Sequence, residues 1–133
     1  MKEVFADAYY FLALANPDDQ AHRRAFGSYA HSSGRLVTTV FVLAEVGDAL
    51  SRPAARHRFQ LLLELLQRSP EAAIVWGTED LFARAVAFYR RRPDKEWSLT
   101  DCISFVVMEE RGIKEALTGD RHFEQAGFKA LLK

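Results

Sequence analysis

At 133 residues, with Lys plus Arg (18) matched by Asp plus Glu (18), the chain has the length of one domain, and its charge balance excludes a uniformly basic nucleic-acid binder while leaving room for a local basic stripe. An apolar fraction of 49% with ten Phe excludes a disordered chain, and the single cysteine, Cys102, excludes an internal disulfide and fits a reducing cytoplasm. No charged-then-apolar leader opens the sequence and no run approaches the roughly 18 apolar residues of a membrane span, so a soluble cytoplasmic protein is expected.

Glu3 to Ala6 is a short apolar run closed by Asp7 and reads as a first, central strand. Ala8 to Ala15 is an aromatic-rich helix stopped by Asn16-Pro17. Asp18 is the expected cap of a second helix, which holds His22, Arg23, Arg24, Phe26 and Tyr29 and fades at Ser32-Ser33-Gly34. Leu36 to Thr38 is a second strand, and Thr39 caps a helix running to Ser51. Pro53 is expected to open the next helix, whose Phe59, Leu62, Leu63, Leu65 and Leu66 form an apolar stripe. Ala72 to Trp76 is a third strand, followed by a helix capped by Thr78 and ending near Arg90-Arg91-Arg92-Pro93. In the next helix, capped by Ser98 or Thr100, Ile103, Val106, Val107 and Glu110 recur at helical spacing until Gly112 ends it. Glu115 to Thr118 is a short strand delivering Asp120 to its mouth, and Phe128 to Leu132 is an edge strand. Strands alternating with helices, without repeats or linkers, point to one α/β layered domain over residues 1–133 with a mostly parallel sheet.

Four acids fall at strand mouths or in apolar surroundings: Asp7, Glu45, Asp101 and Asp120. If the strands before Asp7 and Asp120 are parallel neighbours, those two carboxylates converge. Glu45 has Phe41, Val42, Asp48 and Ala49 at helical spacing, a mostly apolar setting, and a carboxylate buried there needs a partner or a metal. Gathered acids repel one another unless a hard divalent cation neutralises them, which points to a Mg²⁺ or Mn²⁺ site completed by waters. Plain readings stand beside this one. Asp101 lies three residues after Ser98, where a capping box places its acid. Asp7 and Asp120 can each be turn or cap residues, and Glu45 can face solvent. The residues alone leave both sets of readings open.

Other residues invite roles that plain packing explains. His22, His31, His57 and His122 lack zinc spacing with Cys102, which sits in an apolar helix as a core residue. Trp97 can stack a base or lid the core, and His122 can belong to the site or pack at a helix start. The Arg90-Arg91-Arg92 run can hold an RNA backbone or simply complement the end of its helix. A dehalogenase-like phosphatase would want an acid two residues after Asp7, where Tyr9 stands.

Val4-Phe5-Ala6-Asp7, Thr38-Thr39 with Val42-Leu43-Ala44-Glu45, Ser98-Leu99-Thr100-Asp101-Cys102, and Ala116-Leu117-Thr118-Gly119-Asp120-Arg121-His122-Phe123 with Ala126-Gly127-Phe128 resemble, in order, the motifs of PIN-domain ribonucleases. Among these the chain is similar to the VapC-type toxins of toxin–antitoxin pairs. The resemblance implies a PIN-like three-layer α/β/α domain and a metal-dependent endoribonuclease, with Asp7, Glu45, Asp101 and Asp120 as the acidic set. It further implies an RNA substrate, Mg²⁺ or Mn²⁺ as cofactor, a homodimer, and an antitoxin whose C-terminal segment covers the site. A stand-alone PIN nuclease, or a catalytically weak module that binds RNA or a partner chain, is the alternative. One departure stands out: the family usually has Thr or Ser after the first Asp, and this chain has Ala8. Thr118 can supply a comparable hydroxyl, and Arg121, beside Asp120, is a candidate phosphate contact.

Overall fold

A computed structural model describes residues 2–31 and 34–133, with the side chains at 26 and 28–31 also left undescribed. The expected fading point of the second helix, Ser32-Ser33, lies outside the described residues. Five strands form one sheet, β1 (Glu3–Ala6), β2 (Arg35–Thr39), β3 (Ala72–Val75), β4 (Glu115–Leu117) and β5 (Lys129–Ala130), in the order β3-β2-β1-β4-β5. All four pairings are parallel, so the sheet is wholly rather than mostly parallel. Seven helices flank it among the described residues, giving three α/β/α layers: α1 (Ala8–Ala15), α2 (His22–His31), α3 (Val40–Ala49), α4 (Arg56–Arg68), α5 (Glu79–Arg91), α6 (Leu99–Arg111) and α7 (Arg121–Gln125).

The strand order explains where a site can form. From β1 the chain steps outward to β2 and β3, then returns to the other side of β1 with β4 and continues to β5. The direction of winding therefore reverses between β1 and β4. The loops leaving neighbouring strands on either side of such a switch diverge and leave a crevice at the carboxyl ends. Ala6 is in register with Leu117, so Asp7 and Thr118 leave the sheet together at that crevice.

The central strand is buried throughout its last three residues, Val4, Phe5 and Ala6. Behind β4 an aromatic cluster locks α5, α6 and α7: the Phe105 ring lies 4.9 Å from Phe123 and 5.2 Å from Trp97, both edge-on. Full burial of each such Phe is worth roughly 1.5–3 kcal/mol. Trp97 is only 4% exposed and its Nε1 donates to Gln125 Oε1 at 3.0 Å. It is thus a lid on the core, and the base-stacking role is set aside. Cys102 is likewise buried in that core.

Local signals set most boundaries. Thr39, Thr78 and Ser98 cap α3, α5 and α6 by accepting the N–H of Val42, Leu81 and Asp101. Gly112 ends α6 at φ 67°, a conformation that favours glycine. Two expectations are corrected. Pro53 does not open a helix; residues 52–55 form a turn, closed by Ala55 N–H donating to Arg52 O, and α4 begins at Arg56. Asp18 does not cap α2 directly; that helix begins at His22, with the Asp19 carboxylate accepting from Ala21 N–H at 2.8 Å. No helix among the described residues is long and apolar enough to cross a membrane.

Candidate active site

Asp7 closes β1 and is buried, 7% exposed. Thr118, the residue after β4 and fully buried, donates its hydroxyl to Asp7 Oδ2 at 2.9 Å. The same hydroxyl accepts the Asp120 N–H at 3.1 Å. One side chain therefore ties the two strand-end acids to a common frame. On the other side Thr38 donates to the Ala6 carbonyl at 2.8 Å, holding the peptide that presents Asp7.

Asp101 arrives from the first turn of α6. It is the acid of a complete capping box, since its Oδ2 accepts the Ser98 N–H at 3.1 Å while Ser98 Oγ accepts its own N–H at 3.0 Å. The plain reading of Asp101 is thus correct, and it does not exhaust the residue. The same Oδ2 lies 3.0 Å from His122 Nδ1. Asp120 caps α7 by accepting the His122 N–H at 2.9 Å, and its Oδ1 lies 3.5 Å from His122 Nδ1. Donor atoms of Asp101, Asp120 and His122 all fall within 4.8 Å of one another. An imidazole nitrogen thus enters the acid cluster. The sequence contains the hint, a His one short step beyond Asp120 at the start of a helix, but its meeting with Asp101 is a long-range event.

Glu45 corrects an expectation. It lies on the exposed side of α3, whose buried residues are Val42, Leu43 and Val46. The residue is open to solvent at the rim, while its carboxylate is turned toward the crevice. Partial loss of water there raises its pKa, the Thr100 hydroxyl opposes the rise, and the charges of Asp101, Asp48 and Asp120 add to it. For Asp7, burial pushes the pKa up to about 6; hydrogen bonds from Thr118 and the Ala8 N–H oppose this, and Asp101 and Glu45 reinforce it. Asp7, Glu45, Asp101 and Asp120 thus share one field. Among the described residues no Lys or Arg forms an ion pair with any of them. Arg121 is exposed at the start of α7, beside Asp120 but outside the cluster.

The donor set fits a hard divalent cation. Neighbouring ligands of an octahedral ion with bonds of 2.0–2.1 Å are about 3 Å apart. The 3.0 and 3.5 Å separations of His122 Nδ1 from the two carboxylate oxygens are close to that spacing. Such an ion also relieves the mutual repulsion of the gathered carboxylates, which among the described residues no Lys or Arg ion pair offsets.

Comparison with known proteins identifies the family and the fold. The family model described as "PIN domain" matches residues 4–129. The "23S rRNA-specific endonuclease VapC20" of Mycobacterium tuberculosis is 30% identical over 125 residues, covering 94% of this chain and 95% of that one. The crystal structure of that protein, described as a Sarcin-Ricin loop cleaving toxin, superposes with a TM-score of 0.87 at 28% identity over 94% of this chain and 95% of the other. FitAcB from Neisseria gonorrhoeae shares the fold at a TM-score of 0.65 and 13% identity, covering 96% of this chain and 94% of that one. With strand order, switch-point crevice and acid cluster all in place, the chain belongs to the PIN domain family.

Proposed function

We propose that this chain is a divalent-metal-dependent endoribonuclease acting as the toxin of a toxin–antitoxin pair, with Asp7, Glu45, Asp101 and Asp120 as its acidic set. The observation that carries the reading is the convergence of Asp101, Asp120 and His122 within 4.8 Å, beside the Thr118-tethered Asp7 and with no Lys or Arg paired to the acids among the described residues. Its context is 30% identity to an endonuclease that acts on 23S rRNA.

Mg²⁺ or Mn²⁺ held at this site would supply an acidified water to attack the phosphodiester and would offset the charge that develops on the phosphate. Asp101 Oδ2, Asp120 Oδ1 and His122 Nδ1 are the groups spaced to hold the ion. Asp7, fixed by Thr118, completes the anionic wall from the floor. Glu45, at the rim, would take up the proton that the acidified water releases. Arg121, exposed next to Asp120, is a phosphate contact at the mouth.

An antitoxin, a homodimer and a cytoplasmic setting complete the proposal. Leu61, Leu65, Trp76 and Phe82 are exposed apolar side chains that support contact with partner chains. The buried, single Cys102 suits a reducing compartment.

Purified protein, freed of any co-purifying antitoxin, is incubated with ribosomal RNA and a structured-RNA pool in Mn²⁺, Mg²⁺ or EDTA, beside Asp7→Asn. Discrete cuts that need metal and vanish in Asp7→Asn are expected. Folded protein that binds RNA without cutting would favour the binding-module alternative, to which the missing hydroxyl at Ala8 lends its support. Cutting that survives Asp7→Asn would overturn the acid assignment.

A further inference from the structure

The acid cluster poses an electrostatic problem for any RNA. Four carboxylates converge on the crevice, a fifth acid, Asp48, adds to their field, and the whole chain is neutral. Phosphates approaching the site are repelled unless cations stand within about a Debye length, roughly 8 Å at physiological salt. Arg121, beside Asp120, is a single charge against that set.

A second cleft adjoins the site. The last turn of α5 and the segment leading into α6 enclose an open hollow of about 490 Å³; Tyr89, Arg90, Arg92, Lys95, Trp97 and Ser98 line it together with Pro93 and one acid, Glu96, so its cations outnumber its acids. One wall is shared with the acid cluster: Ser98 both lines the hollow and caps Asp101 through two hydrogen bonds. Its cations divide by duty. Arg92 is engaged, bidentate to Asp94 at 3.0 Å and 5.1 Å above the Trp97 ring, so it braces the wall. Lys95 lies 6.0 Å from the same ring, and neither Lys95 nor Arg90 forms an ion pair among the described residues. Tyr89 stands beside them, 50% exposed. Cations outside any ion pair, next to an exposed aromatic ring in a groove of nucleotide dimensions, are the features by which proteins hold single-stranded nucleic acid.

We propose that this cleft is the RNA-backbone subsite, which seats nucleotides flanking the cleaved bond. Arg90 and Lys95 neutralise phosphates there, and Tyr89 offers its ring to a base. The inference rests on the nuclease reading for its RNA, and assigns the Arg90–Arg92 run a divided role, with Arg90 on substrate and Arg92 on structure.

The test is equilibrium binding of a fluorescent single-stranded oligoribonucleotide to the full chain in EDTA, at several salt concentrations. The variants are Arg90→Gln/Lys95→Gln and, separately, Tyr89→Ala. A charge-matched control, Lys114→Gln/Lys129→Gln, removes two cations at the opposite, amino end of the strands, where Lys114 precedes β4 and Lys129 begins β5. The first pair is expected to weaken binding about tenfold, and to flatten the logarithmic salt slope by about 1.4, at about 0.7 per lost phosphate contact. Tyr89→Ala weakens binding several-fold with the slope unchanged, and the control stays near wild type. Equal losses in the control and in Arg90→Gln/Lys95→Gln, or an unchanged salt slope, would overturn the subsite. If binding depends on Arg90 and Lys95 while no RNA is ever cut, the cleft stands as an RNA-binding groove and the nuclease reading falls; cutting that is indifferent to them overturns the cleft and leaves the nuclease.

Discussion

The Thr118 hydroxyl stands 2.9 Å from Asp7 Oδ2, joining the residue just after β4 to the acid just after β1. In the PIN pattern a hydroxyl usually follows the first Asp directly. Here that position is Ala8, and the hydroxyl comes from the neighbouring strand. Thr118→Val keeps the shape and deletes the bond. It strands a buried acceptor on Asp7 and the N–H of Asp120, at a cost of about 1–3 kcal/mol. The Asp7 pKa, which this bond holds down, then rises further. The expected outcome is a lower melting temperature and an acid limb of RNA cleavage displaced to higher pH, both restored by Thr118→Ser. An unmoved pH profile in Thr118→Val would show that Thr118 does not tune Asp7.

Asp7 itself makes a prediction about stability. In metal-free protein its carboxyl is held near 6, against 3.8 for the free group. Between those pH values the folded chain binds more protons than the unfolded one, so stability is fully present below about 4 and declines as pH rises through about 6. The full loss is at most about 3 kcal/mol, from 1.36 kcal/mol per unit. Asp7→Asn keeps an acceptor for Thr118 and removes the buried charge. In EDTA at pH 7.5 it should melt several degrees above wild type, with the gap closing toward pH 4. Adding Mn²⁺ should raise the wild-type melting temperature and leave Asp7→Asn behind. A wild-type melting temperature that is flat between pH 4 and 7 would remove the buried-charge argument.

His122 separates two roles that geometry places together. Its Nδ1, 3.0 Å from Asp101 and 3.5 Å from Asp120, can hold an ion or orient the carboxylates that do. Either way His122→Ala should weaken Mn²⁺ binding about 10- to 100-fold by calorimetry. Nitrogen coupling in the electron spin resonance of bound Mn²⁺, present in wild type and lost in His122→Ala, identifies direct ligation; weakened binding without that coupling identifies orientation through Asp101. Unchanged affinity would exclude His122 from the centre.

Much of this architecture was legible because local chemistry dictates it. The apolar run before Asp7, the hydroxyl caps at Thr39, Thr78 and Ser98, and the left-handed Gly112 each act within one turn of chain. Pro53 misleads for a local reason too: its fixed φ suits a turn as well as a first helical turn, and the turn forms here. Glu45 looks buried because Phe41 and Val42 surround it in sequence, yet α3 buries one stripe, Val42, Leu43 and Val46, and Glu45 lies off it. The meeting of His122 with Asp101, 21 residues away, and the shared hydroxyl of Thr118, 111 residues from Asp7, depend on α6 and β4 docking beside β1. No window of sequence contains such contacts. The Thr118 hydroxyl and the Ser98–Asp101 capping box are readable from the sequence, and the structure shows their bonds; the approach of His122 to Asp101 is not.

Gly119 links the site to its entrance. It lies between Thr118 and Asp120, and a Cβ there would sit 2.5 Å from Tyr9 Cζ and 2.6 Å from its hydroxyl oxygen. That distance is impossible, so Gly119→Ala must move something. Tyr9 is 37% exposed and meets Gly119 with the far end of its ring, which can swing into solvent at little energetic expense. Gly119→Ala should therefore fold, with stability within about 1 kcal/mol of wild type, while evicting the ring from the lip of the crevice. Tyr9→Ala evicts it by deletion. If the ring helps seat RNA, the two variants should raise KM by the same several-fold factor, and the double variant should be no worse than either one, a non-additivity expected of changes that share one partner. Additive losses would mean that Gly119→Ala disturbs Thr118 or Asp120 directly, and that the backbone between them, not the ring above it, is what the small residue protects.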